Sequence, residues 1–420
     1  MTRRVAITGL GAVTPLGNTA TATWDSLVAG RSGVGRITDF DSASYSVHIA
    51  GLVKDFDLAR ALPDQRLRRY LSRAGGFGVA AVIEALAAAR AQPGVYDPDE
   101  RAISMAGSVA RVPFEELVEL VHVREESSGR VLYRWPPSAV MSRAQNVPVA
   151  VMAQLADVRG PTSAINTACA ASAHAIGVGY RWVQEGDARL VIAGGYDALT
   201  NYLDLLGFSL LGALSEDFAD EPTRASRPFD RDRAGFVVGE GAVMVVLEDL
   251  ESARARGATI LCEIAGFGSS MNAYRITDSP PDGNGAVQAM AAALAESGLE
   301  PRDIDYVAAH GTGTPGNDPS ETLAIKKVFG EAARRLAISS PKSMAGHLTA
   351  AAAALNVLAA TGAIRDQVAP PTINLDHPDP DLDLDYVPHR ARPMEVRAAL
   401  VNAFAFGGTN ACLVLRQASP

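Results

Sequence analysis

The sequence predicts a layered α/β protein built from two related halves. Three observations carry this reading. Short apolar strands alternate with helices rich in small residues along the whole chain. The alternation restarts after the charged segment Glu248 to Arg256, which places a boundary near 250–258 and gives halves of 1–254 and 255–420. A chain of 420 residues also exceeds one ordinary core. No short repeat period is visible.

The elements follow in order. Arg4 to Leu10 reads as a buried strand, and GLGAVTPLG overlaps its end. The dinucleotide-binding spacing fails there, because the third glycine position is Thr14 and Pro15 follows. We read a tight turn before a helix over Thr19 to Ala29. Residues 30–75 mix loop and short elements, with Arg66, Arg68, Arg69 and Arg73 expected on one helix. An Ala-rich helix spans Gly75 to Ala91 and stops at Gln92-Pro93-Gly94. A strand over Ala102 to Val109, an irregular excursion at 111–145 with Trp135-Pro136-Pro137, and a helix over 147–157 come next. Thr162 to Thr167 is a strand, Ala170 onward a helix reaching Glu185, and Ala188 to Gly194 another strand. The polar RASRPFDRDRAGFVVGEG from Arg224 to Gly241 leads to a strand over Ala242 to Leu247.

The second half repeats the alternation. Strands are expected at Ile260–Gly266, Tyr306–Ala309, Leu336–Ser339, Ala398–Ala403 and Asn410–Arg416. Helices are expected at Ala286–Ser297, Ser320–Phe329 and Thr349–Ile364. The Ala-rich helices lack a polar face, which predicts burial between two sheets.

Composition excludes several classes. The chain is 48% hydrophobic and 20% charged with a net charge of -9, which argues against a general nucleic-acid binder. Cys169, Cys262 and Cys412 are too few and too scattered for a disulfide framework, so a reducing cytoplasmic setting is expected. MTRRVAITGLG lacks a signal-peptide core, and no apolar run reaches the roughly 18 residues of a membrane span. On this acidic chain the basic Arg66, Arg68 and Arg69 form a candidate docking patch for an anionic partner.

The chemistry concentrates at strand ends. Cys169 falls where a strand meets a helix, near free backbone N–H groups and the positive end of the helix dipole, both of which favour thiolate. Its neighbours Ala168, Ala170, Ala171, Ser172 and Ala173 leave room for a substrate carbonyl. A small buried hydrophobe is the competing reading of such a cysteine. His310 enters a Gly/Thr loop after the apolar Val307 to Ala309, and His347 precedes an Ala-rich helix. A glycine-rich turn, Phe404 to Thr409, links the last two strands. Strand ends are where open α/β sheets carry their sites.

CAAS at Cys169, HGTGTPGND at 310–318, KSMAGH at 342–347 and NAFAFGGTN at 402–410 resemble the β-ketoacyl-acyl-carrier-protein synthases, decarboxylating condensing enzymes of the thiolase superfamily. The resemblance spans essentially the whole chain, including VAITGLGAVTPLG and RPFDRDRAGFVVGEGA, and is strongest to elongating fatty-acid and type II polyketide ketosynthases. It implies a thiolase-like, five-layered α-β-α-β-α sandwich of two similar halves, as a homodimer or a heterodimer with a ketosynthase-like subunit. It implies that Cys169 takes up an acyl chain and that malonyl-acyl-carrier protein is decarboxylated and condensed onto it. His310 and His347 would stabilise the enolate, and the backbone N–H groups of Cys169 and Phe406 would form the oxyanion hole. Lys342, paired with Glu321, would supply fixed positive charge. Thr312 and Thr314 would bind the pantetheine arm, and Phe404 and Phe406 would gate the acyl channel. No cofactor is implied on the enzyme, because the substrates arrive on the phosphopantetheine of an acidic carrier protein, with Arg66, Arg68 and Arg69 as docking candidates.

Some positions depart from the family pattern. Ala350, Ala353 and Ala405 stand where glycines are usual, Ala234 replaces an acidic residue, and Ala110 sits where bulkier side chains often close the acyl pocket. A deeper pocket for a long or rigid chain is therefore expected. Two other readings stay open. A non-decarboxylating thiolase would need a second catalytic cysteine, for which Cys412 is the late candidate. A non-catalytic chain-length partner would lack the nucleophile.

Overall fold

The computed structural model describes residues 2–42, 45–112, 114, 116–119 and 137–419. Most of the 111–145 excursion, including Trp135 and Pro136, therefore lies outside the described residues.

Ten strands form one mixed sheet. In chain order they are β1 (Val5–Val13), β2 (Arg101–Gly107), β3 (Thr162–Ile165), β4 (Leu190–Asp197), β5 (Gly241–Asp249), β6 (Cys262–Met271), β7 (Tyr306–Ala308), β8 (Ala337–Ser339), β9 (Ala398–Phe404) and β10 (Thr409–Arg416). The spatial order is β8-β7-β9-β10-β6-β1-β5-β4-β2-β3. Counted outward from the β6–β1 seam, each side runs first, fifth, fourth, second, third strand of its set. Pairing senses match as well: the two pairs nearest the seam on each side are antiparallel and the outer two parallel. The seam itself is short, joining Val5, Ala6 and Ile7 to Ile264, Glu263 and Cys262. The two sides are the same fold written twice.

The principal helices are α1 (Arg73–Ala89), α2 (Asn146–Leu155), α3 (Ala171–Glu185), α4 (Asn284–Ser297), α5 (Asn317–Phe329) and α6 (Ala352–Asp366). Between the two halves of the sheet lie α3 and α6, in contact with each other and with strands of both sides. Every residue of α6 from Ala352 to Ile364 is buried. The small side chains of this pair let two helices fit where one layer must serve two sheet faces. The outer layers are α1, packed on β1 and β5, and α4, packed on β6 and β10. The order of layers is α-β-α-β-α.

Burial between sheets therefore holds for the Ala-rich 352–366 helix, but not for α1 and α4, which each leave one side to solvent. Their alanines serve a different contact. A Cβ built on Gly9 or Gly11 of β1 would fall inside the van der Waals shell of the Ala85 or Ala81 carbonyl of α1. Gly266 and Gly268 of β6 meet Ala293 and Ala289 of α4 in the same way. Gly9 and Gly11 are thus mid-strand sites of helix approach rather than a turn. Sequence reading also missed the helix Tyr202–Leu210. The arginine cluster is divided: Arg66 and Arg68 lie on the one-turn helix Gln65–Arg68, Arg69 caps it, and Arg73 opens α1. Among the described residues no helix is long and apolar enough to cross a membrane.

Gly11→Ala is expected to cost about 1–3 kcal/mol in chemical denaturation, because the new methyl meets backbone that cannot yield. Gly35→Ala, with open space around it, is expected to be neutral. Equal costs at the two positions would contradict the packing argument.

Candidate active site

The duplicated topology explains where the site residues sit. On each side a 3₁₀ turn opens the buried helix; in the first half it follows the third strand directly, and in the second the short helix Lys342–Ala345 intervenes. In the first half this turn is Ala168–Ala170 after β3, and it carries Cys169. In the second half it is Thr349–Ala351 before α6, two residues past His347. Both turns open on a non-glycine residue in the left-handed region, Ala168 at φ +47° and Thr349 at φ +46°. Such conformations cost on the order of 1–3 kcal/mol each and persist only where the surroundings enforce them.

His310 follows β7, and the loop after it is held from below by the first turns of α5. Glu321 accepts the backbone N–H groups of His310 and Gly311, each at 2.8 Å, and the Asn402 amide at 2.9 Å. Asp318 accepts from the backbone of Thr312 at 3.1 Å, Gly313 at 3.2 Å and Phe229 at 2.8 Å. Both acids are buried. Sequence reading assigned nothing to Asp318 or Asn402, since a polar residue in a string carries no mark of burial.

These elements meet at one cavity of about 280 Å³. Cys169, His310 and His347 all line it, as do Thr312, Thr314, Phe404 and Phe406. The two imidazoles are 5.6 Å apart, edge to face. Phe404 packs 5.7 Å from the His310 ring, and Phe236, which sequence reading did not single out, packs 5.2 Å from His347. Thr312 and Thr314 share a 2.8 Å hydroxyl–hydroxyl bond on the cavity wall. The turn after Phe404 is tied across the mouth: the Gly407 N–H donates to the Ile276 carbonyl at 2.7 Å, and the Asn272 N–H donates to that of Gly408. Gly407 and Gly408 sit at φ +86° and +81°, which leaves little choice but glycine there.

Lys342 is buried beneath the histidines. Its Nζ donates to the His310 carbonyl at 2.6 Å and lies 3.5 Å from His310 Nδ1. The expected pairing with Glu321 is corrected by these contacts: Glu321 spends its oxygens on backbone and Asn402, and acts on the ammonium through its charge. Burial lowers the Lys342 ammonium to about 8, against the pull of the Glu321 and Cys169 charges. His310 and His347 are held well below the ordinary imidazole range, first by burial and then by the Lys342 cation. His347 Nδ1 accepts the Thr349 N–H at 3.0 Å. A backbone N–H on Nδ1 places the proton of the neutral His347 ring on Nε2.

The thiol departs from the expectation of a favoured thiolate. The Lys342 charge and the backbone N–H groups of Phe406 and Cys169 do favour ionisation, but burial outweighs them and raises the thiol. The Phe406 and Cys169 N–H groups thus act on the thiol from the two sides of the site the sequence had paired. Cys412 is buried in β10, donates to Asn402 Oδ1 at 3.2 Å, and is no part of the cavity wall. Ala110 does not line this cavity: it lines a second one of about 340 Å³, more apolar than polar, with Phe40, Phe114, Asp197, Leu199 and Tyr202. Arg66 and Arg69 are exposed, Arg66 beside Asp64 at 3.0 Å and Arg69 on Tyr70, while Arg68 is partly buried. No member of the trio lines the cavity.

Alkylation of Cys169 by iodoacetamide is expected to keep rising through about pH 9. Lys342→Met, which removes the cation favouring the thiolate, is expected to slow it several-fold near pH 8. A plateau already reached at neutral pH would contradict the raised thiol.

Residues 2–253 match the family model "Beta-ketoacyl synthase, N-terminal domain" and residues 261–376 match "Beta-ketoacyl synthase, C-terminal domain". The chain is 41% identical to the 3-oxoacyl-[acyl-carrier-protein] synthase 2 of Synechocystis sp., covering 99% of this chain and 98% of that one. It is also 41% identical to the Coxiella burnetii protein of the same name, covering 99% of each. Among solved structures it resembles a type II polyketide ketosynthase in complex with its acyl-carrier protein (TM-score 0.89, 32% identity, all of both chains). It also resembles a β-ketoacyl synthase from Burkholderia phymatum (TM-score 0.88, 33% identity, 99% of this chain and 100% of that one). The thiolase-like α-β-α-β-α sandwich expected from the motifs is the fold observed. The chain belongs to the β-ketoacyl synthase family.

Proposed function

We propose that this protein carries out decarboxylative condensation of a Cys169-bound acyl chain with malonyl-acyl-carrier protein. The product is a β-ketoacyl-acyl-carrier protein in fatty-acid or type II polyketide elongation. The observation that carries the proposal is the convergence of the His310 and His347 imidazoles and the Cys169 thiol on the wall of one cavity, with His347 Nδ1 accepting the Thr349 N–H.

In the first step the Cys169 sulfur attacks the carrier-bound thioester, the carrier thiol leaves, and an acyl-enzyme forms. The N–H groups of Cys169 and Phe406 receive the tetrahedral oxyanion. In the second step a malonyl thioester loses CO2, and the electron pair of the broken bond becomes an enolate. The Nε2 protons of His310 and His347 hydrogen-bond the enolate oxygen. Its carbon then attacks the acyl carbonyl, and the Cys169 sulfur leaves. Lys342 contributes fixed charge beneath both rings rather than a proton. Thr312 and Thr314 hold the pantetheine arm, and Phe404 and Phe406 flank the route by which the chain enters.

A non-catalytic partner subunit would not need this convergence, and a non-decarboxylating thiolase is disfavoured by Cys412, buried away from the cavity. The carrier protein is acidic, and the exposed Arg66 and Arg69 with Arg68 are its docking candidates. A second subunit, identical or ketosynthase-like, fits the edge of the sheet. Among the described residues β3 is an edge strand, with Thr162 and Ala164 exposed. We read 1–254 and 255–420 as the two halves.

Intact-mass analysis after incubation with acyl-carrier proteins tests the proposal. An acyl adduct is expected on the unsubstituted chain and none on Cys169→Ala. His310→Ala and His347→Ala are expected to keep the adduct and lose condensation by about 10²-fold or more. Because both imidazoles stay neutral well below their usual range, the condensation rate is expected to show no fall with an apparent pKa near 6.5. A histidine-like fall there, or an adduct on Cys169→Ala, would contradict the scheme.

A further inference from the structure

Asp197 is one of several buried carboxylates that the scheme above leaves without a role. Asp197 closes β4 and is 2% exposed. Its Oδ2 accepts three hydrogen bonds: from the Ser108 hydroxyl at 2.8 Å, the Thr349 hydroxyl at 2.6 Å and the Ala350 N–H at 3.0 Å. The first donor follows β2 and the other two belong to the strained turn after His347. Within that turn Thr349, at φ +46°, gives its own N–H to His347 Nδ1 at 3.0 Å.

We propose that Asp197 is a positioning residue for His347. It clamps the 349–351 turn against the end of β2 so that the Thr349 N–H stays on Nδ1 and the Nε2 proton stays in the cavity. The inference rests on the reading of His347 given under the proposed function.

Three donors, two hydroxyls and an N–H, converge on one oxygen, and a carboxylate accepts such bonds more strongly than a neutral amide carbonyl does. Glu321 does the equivalent for His310 by gripping backbone N–H groups, so each imidazole has its own buried acid. Cys169 stands on a different turn that Asp197 does not bond, and among the influences on the thiol the Asp197 charge is the smallest, opposing ionisation. The inference therefore separates the two halves of the reaction.

The test is Asp197→Asn, with the rate of acyl-adduct formation at Cys169 and the rate of malonyl-dependent condensation measured on the same preparation. Condensation is expected to fall about tenfold to a hundredfold, the cost of a misplaced catalytic group, while adduct formation is unchanged. Parallel loss of both rates, or no loss of condensation, would overturn the assignment. Should Asp197→Asn fail to fold, Thr349→Val and Thr349→Ser decide the matter. Valine keeps the shape without the donor and is expected to lower condensation alone, and serine restores the hydroxyl and is expected to recover it. Equal condensation in those two variants would overturn the proposal. If the unsubstituted chain forms no adduct with any acyl-carrier protein, the reading of the site fails and this inference with it.

Discussion

The site depends on a single buried ammonium. Lys342 has almost no access to water, and its direct hydrogen bonds go to His310. A cation in that position is sustained by the Glu321 and Asp318 carboxylates nearby, whose own oxygens are tied to the loop carrying His310. The same charge disfavours a second positive charge on either imidazole. Neutral rings with defined tautomers are what an enolate-stabilising site needs, because an imidazole already charged in the ground state would gain less as the transition state forms.

The architecture supplies this arrangement by duplication. One strand order and one set of pairing senses occur on both sides of the β1–β6 seam, and both buried helices begin with the same strained turn. In the first half the turn holds Cys169, the proposed nucleophile. In the second half the corresponding turn holds Ala350 beside Asp197, and the chemistry has moved three residues upstream to His347. On the function proposed above, the two copies divide the work between attack on one thioester and activation of the other. Their glycine–alanine contacts, Gly9 and Gly11 on α1 and Gly266 and Gly268 on α4, have kept the same form.

Much of this was legible in the sequence, for identifiable reasons. The strand residues Ala242–Leu247 form a continuous apolar run, and the buried helix 352–366 shows its environment in the absence of any polar face. Cys169 and His310 stand shortly after strands, His347 after the short helix Lys342–Ala345, all next to small residues, and their motifs are specific enough to name a family. What was not legible depends on long-range contact. Gly9-x-Gly11 looks like a turn until α1 is placed against it. Lys342 and Glu321 look like an ion pair until backbone N–H groups claim the carboxylate. The helix dipole and free N–H groups at Cys169 argued for a thiolate, but burial, which no local pattern reports, works in the opposite direction and prevails.

The protonation state of the two site histidines is the central claim, and ring-nitrogen NMR reads it directly. With ¹⁵N-labelled histidine and the His310→Ala and His347→Ala variants to assign the signals, both rings are expected to show the neutral Nε2–H form from about pH 6 to about pH 8. An imidazolium signal titrating near the ordinary histidine value at either position would contradict the account.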